Sequence, residues 1–89
     1  MAETNLKEYQ KNPKFRIRKF NGRIYIFNRD RAFEINTMSL EIWKNIGKDI
    51  TLSNLVEKMY GESNTNIENK IMEFVDFLCI NELIIRVDS

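Results

Sequence analysis

An 89-residue chain with no histidine and one cysteine has few ways to make or break a covalent bond. Without imidazole there is no Cys–His or Ser–His pair. Without a second thiol there is no internal disulfide and no zinc site of usual composition. The lone thiol, Cys79, falls between Leu78 and Ile80 in a helical stretch, where a packed, inert side chain is expected rather than a nucleophile. The carboxylates are scattered, with no spacing that brings two of them together. The chain is therefore expected to be non-catalytic, and no residue implies a metal or another cofactor. What remains is recognition: apolar rings that could bury a partner's side chain, and charges that could read one.

The rings point to the stretch KIMEFVDFLCINEL, residues 70–83. At about 100° per residue, Ile71, Phe74, Val75 and Leu78 share one helical face with Ile67, the stripe that a core-facing helix needs. Phe77 and Ile80 fall off that stripe, beside Lys70, Glu73 and Asn81. An aromatic on the wrong face of the longest helix either packs under a tail, for which Leu6–Tyr9 or the extended C-terminus would serve, or binds something. The charges are equally uneven. Residues 14–31 carry Lys14, Arg16, Arg18, Lys19, Arg23, Arg29 and Arg31 against Asp30, a net +6, while residues 32–89 sum to −5. Such asymmetry suggests an acidic partner for the first part; a sheet edge protected by charge is the plainer alternative.

Stepping along the chain places these groups on elements. Residues 1–12 are polar and unpatterned and are expected to form a flexible N-terminal segment; residues 13–89 form one domain, a length that suits a single small core. Phe15 and Ile17 alternate with Arg16 and Arg18, Asn21-Gly22 is the favoured pair for a type I′ hairpin turn, and Ile24 and Ile26 alternate with Tyr25 and Phe27. Asn28 to Asp30 turns the chain again, and residues 31–35 complete a three-stranded meander. The period then changes to 3.6. Asn36 or Thr37 can cap a helix with Leu40, Trp43 and Ile46 on its core face, ending near Gly47; Thr51 caps a second, closed by Gly61. Thr65 with Glu68 reads as the capping box of the third, and the tail from Leu83 to Val87 is extended in character. Three strands followed by three helices predict an α+β fold, winged helix-turn-helix-like, with helices on one face of a three-stranded antiparallel sheet. No apolar run is long enough for a membrane helix and the N-terminus lacks a signal-peptide core, so a cytoplasmic protein with no membrane partner is expected.

Taken together, the Pro13 start, NGRIYIFN, FEINTMSLEIW, DITLSNLVEKMYG and IENKIMEFVDFLCINELI resemble, in order and spacing, the PqqD family of RiPP recognition elements. GKDI departs from the acidic-Gly turn common there. The resemblance implies a non-catalytic domain that captures the leader segment of a ribosomally synthesised precursor peptide and delivers it to a modifying enzyme. That enzyme would be a radical-SAM maturase, a cyclase or dehydratase, or a leader protease. It further implies that the leader adds as a strand to the third strand, here Arg31, Ala32, Phe33, Glu34 and Ile35. The groove wall would be Lys70, Glu73, Phe74, Phe77 and Asn81 on the third helix, with Ile80. Main-chain groups would supply hydrogen bonds, Phe77 an apolar pocket, and Arg31, Glu34, Lys70 and Glu73 the reading of charge and register. An open strand edge also leaves room for a homodimer.

The competing reading is a winged-helix DNA-binding regulator with the basic hairpin as a phosphate-contacting wing. The helices argue against it: the second offers Ser53, Asn54, Glu57 and Lys58, and the third is net acidic, a poor supply for base edges. No nucleic-acid partner is expected. The basic hairpin serves equally well as a surface that docks on the modifying enzyme.

Overall fold

Asn21 and Gly22 both take positive φ, 51° and 76°, the type I′ geometry that suits the right-handed twist of a hairpin. The computed structural model describes residues 4–62 and 64–87. In it, β2 (Arg16–Phe20), β3 (Arg23–Phe27) and β4 (Ala32–Ile35) form an antiparallel sheet in the order β2-β3-β4. Before it comes β1 (Tyr9–Lys11). After it come α1 (Thr37–Asn45), α2 (Leu52–Tyr60), α3 (Thr65–Ile80) and β5 (Ile84–Arg86). This is an α+β architecture, and its sheet-then-helices order is compatible with a winged helix-turn-helix.

Alternation sorts the sheet. Ile17 pairs with Ile26, Ile26 with Phe33, and Ile24 with Ile35, and this face packs on the helices. Ile26 and Ile35 are buried there together with Leu40, Trp43 and Ile46 of the first helical segment, Leu55 and Val56 of α2, and Ile71, Val75 and Leu78 of α3. Trp43 is thus a core residue. The α2 cap is as expected: Thr51 accepts from the Asn54 N–H, and Gly61 closes the helix at φ 85°, a left-handed position that glycine adopts without steric cost. Asn36 is the α1 cap, accepting from the Ser39 N–H at 2.8 Å. The α3 cap corrects the expected capping box. Asn64, one residue before Thr65, accepts from both the Asn66 and Ile67 N–H groups, because a short amide side chain there reaches two orphan donors at once.

The expected flexible segment is corrected over residues 5–12; its residues 1–3 lie outside the described residues. Leu6–Glu8 is a 3-10 turn with Leu6 fully buried, and β1 pairs antiparallel with β5 through Tyr9↔Arg86 and Lys11↔Ile84. Leu6 also closes the α1–α2 connection: its N–H donates to the Ile50 carbonyl at 2.8 Å and its carbonyl accepts from the Gly47 N–H at 2.9 Å. Asn5 adds a bond from Nδ2 to Asp49. Residues 47–50, the GKDI stretch, are held by residues 5 and 6 as well as by their own turn bonds, from the Lys48 N–H to the Asn45 carbonyl and from the Ile50 N–H to the Lys48 carbonyl. A segment that looks featureless alone is part of the core because its two apolar side chains, Leu6 and Tyr9, find distant partners.

Candidate functional site

The outer edge of β4 carries no strand among the described residues. Which of its groups face outward follows from the turn before it. The Asn28 N–H donates to the Arg31 carbonyl at 2.9 Å, while Asn28 Oδ1 accepts from the Asp30 and Arg31 N–H groups. Asn28 and Arg31 are therefore a hydrogen-bonded pair, and antiparallel pairs alternate. By the register Phe27↔Ala32, Ile26↔Phe33, Tyr25↔Glu34 and Ile24↔Ile35, Phe33 and Ile35 bond to β3. Ala32 and Glu34 then present one N–H and one C=O each at the free edge.

Beside this edge lies an aromatic shelf. Phe33 points to the helical side and meets Phe77 edge-on, with ring centroids 5.4 Å apart and planes at 90°. Phe77 in turn stacks on Phe74 at 6.1 Å. All three rings are half-buried and rest against the core cluster. Phe77 is thus covered partly by its own aromatic neighbours. Tyr9 lies instead on the side of α3 that carries Cys79 and Asp76, where burial pushes its phenol up, assisted by Cys79 and opposed by Arg86. Burial, then Asp76, raises the Cys79 thiol too, in keeping with a packed rather than a nucleophilic cysteine.

Arg31 closes one end of the shelf. Its Nη2 donates to the Asn81 carbonyl at 2.6 Å, tying the start of β4 to the end of α3. The same guanidinium lies over the rings of Phe15 and Phe33, at 5.6 and 5.7 Å. Asn81 is engaged as well, donating from Nδ2 to the Phe77 carbonyl. These two residues join strand to helix, a clamping geometry rather than free charge-reading groups.

Of the residues singled out from the sequence, the structure brings together Arg31, Phe33, Phe74, Phe77 and Asn81. Lys70 and Glu73 are exposed on the flank of α3. Ile80, one turn on from Phe77 and beside it on the helical wheel, is 81% exposed. Ala32 and Glu34 contribute backbone; their side chains lie on the opposite face of the sheet, where Glu34 pairs with Arg23 at 3.8 Å. Ile35 belongs to the core. Sequence reasoning missed Phe15, which forms the far side of the Arg31 cation–π sandwich; no local pattern links residues 15 and 31.

Comparison of the chain with protein-family models, with curated proteins and with solved structures gives no match in any of the three. Among the described residues, no helix is long and apolar enough to cross a membrane.

Proposed function

We propose that this chain is a non-catalytic peptide-binding domain: it captures the leader of a ribosomally synthesised precursor by strand addition along β4 and delivers it to a modifying enzyme. The observation that carries the reading is the pairing of an open β4 edge, with the Ala32 and Glu34 backbone turned outward, to the Phe33–Phe77–Phe74 shelf of α3. Strand addition requires that combination. Main-chain bonds hold any extended peptide, and an adjacent apolar surface selects among side chains. The sequence resemblance of residues 13–87 to PqqD-type recognition elements supports the same reading, in which the protein acts in the cytoplasm beside the precursor and its radical-SAM maturase, cyclase or dehydratase, or leader protease.

Calorimetric titration with the leader half of a precursor encoded beside the gene tests the proposal. Micromolar binding that falls tenfold or more in Phe77→Ala is the expected result. Tight binding indifferent to Phe77 would move the site, and salt-sensitive binding to duplex DNA without leader binding would favour the winged-helix regulator instead.

A further inference from the structure

The face of the sheet turned away from the helices is not an ordinary solvated surface. Every cross-strand pair on that side of the β2–β3 ladder joins an arginine to an aromatic ring: Arg16 with Phe27, Arg18 with Tyr25, and Arg23 with Phe20. The rings are partly or largely open, Phe20 being 60% exposed. Arg16 and Arg18 make no salt bridge among the described residues; Arg23 makes only the exposed contact with Glu34. The cations found over rings are Lys11 and Arg31, so these three guanidiniums lie beside their aromatic partners without being stacked on them. A depression of about 570 Å³ opens among Arg18, Phe20, Tyr25, Phe27 and Arg29 and reaches Arg31 and Ala32 at the start of β4, and a second, of about 680 Å³, adjoins it at Lys14, Arg16 and Phe27.

From this ladder we infer a second binding surface, on the face of the sheet opposite the aromatic shelf, that takes an extended acidic segment of a protein partner. Charge selects the sign: four arginines, 16, 18, 23 and 29, face Asp30 and Glu34 alone in this region. The residue type selects a carboxylate-bearing protein. Arginine dominates the basic groups, with Lys14 beside it at the second depression, and its planar fork matches a carboxylate in two bonds. Arginine and aromatic residues are also the types concentrated at the centre of protein contacts, where lysine is depleted. Lys19, the lysine within β2, is turned to the other face by alternation. Spacing selects the conformation. Successive rungs repeat every two residues, about 6.8 Å, the distance between side chains on one face of an extended peptide. Carboxylates on alternate residues would each meet one guanidinium, with their methylenes on the neighbouring ring. Arg16 and Arg18 stand on β2, across β3 from the β4 edge, so the inference does not depend on a leader being the ligand at that edge.

The test is an NMR titration of the full chain with three probes: a ten-residue peptide alternating glutamate and serine, the same peptide with glutamine for glutamate, and ten-nucleotide oligo(dT). The glutamate peptide should shift the Arg16 and Arg18 side-chain and Tyr25 and Phe27 ring signals saturably, and the glutamine peptide should not. The paired variant Arg16→Gln/Arg18→Gln should weaken the response at least tenfold with an unchanged melting temperature, and Phe77→Ala should leave it intact. An equal response to the glutamine peptide, shifts centred on Arg31 or Lys70, or no response would overturn the inference. So would preferential binding of oligo(dT) with a steep salt dependence, which would make the face a single-stranded nucleic-acid platform. Leader binding lost in Phe77→Ala beside a retained glutamate-peptide response separates this surface from the groove, so each can fail without the other.

Discussion

The parity of β4 can be tested by moving one proline across it. At position 32 the N–H points to the free edge, so Ala32→Pro removes a donor that β3 does not use, at the exposed first residue of the strand, where proline is tolerated. Folding stability should change by no more than about 1 kcal/mol in either direction, since a compatible proline also restricts the unfolded chain. One residue on, Phe33→Pro removes a ladder bond to Ile26 and the ring that meets Phe77. Leaving the Ile26 carbonyl without its ladder donor costs about 1–3 kcal/mol, and loss of a half-buried aromatic adds about 1–2 kcal/mol more, a large part of the about 5–15 kcal/mol that holds a domain folded. Urea unfolding reads the difference. In the leader titration, Ala32→Pro removes one of four edge bonds and leaves a peptide carbonyl unpaired, about 1–2 kcal/mol or roughly a tenfold weaker complex. Hydrogen exchange supplies a ligand-free readout: the Ala32 and Glu34 amides should exchange fast, those of Phe33 and Ile35 slowly. Slow exchange at Ala32 and fast exchange at Phe33 would refute the edge assignment. An Ala32→Pro protein that binds leader at full strength would refute strand addition at β4.

Other outcomes follow from single contacts. Leu6→Ala should cost about 2–5 kcal/mol in urea unfolding, as expected for a fully buried leucine; a loss under about 0.5 kcal/mol would detach residues 4–12 from the core. A double-mutant cycle on Phe33→Leu and Phe77→Leu should yield a coupling of about 0.5–1.5 kcal/mol for the edge-on pair, and additivity would dismiss the shelf as a unit. Tyr9 and Cys79 are acids held neutral by burial, their folded pKa raised above the unfolded value. The stability they contribute is full below the ordinary pKa and is lost as pH rises through the folded one. Tyr9→Phe should therefore flatten the decline in stability above about pH 10. Iodoacetamide should alkylate Cys79 more slowly than a free thiol at pH 8.5, and an equal rate would contradict its burial.

Much of this molecule is local in origin. Alternation in residues 15–27 already separates the isoleucine face from the arginine–aromatic face. Asn21-Gly22 carries the positive φ of its turn, Thr51 and Gly61 bound α2, and the off-stripe position of Phe77 marks a second apolar face of α3, the one that meets Phe33. Each of these depends on residues within one or two turns of one another, so periodicity and side-chain chemistry suffice. Tertiary structure decided which backbone groups of β4 face outward, because that depends on the hydrogen-bonding phase set at Asn28 and Arg31 and not on polarity. It decided that Leu6 belongs to the core, through partners more than forty residues away. It also made Arg31 a clamp on Asn81 and Phe15 and put Glu34 on the far side of the sheet, although both read alike from sequence as charges near a groove. A side chain's face follows from its neighbours in the chain, but its partner is chosen by whichever distant surface the packed fold brings within reach.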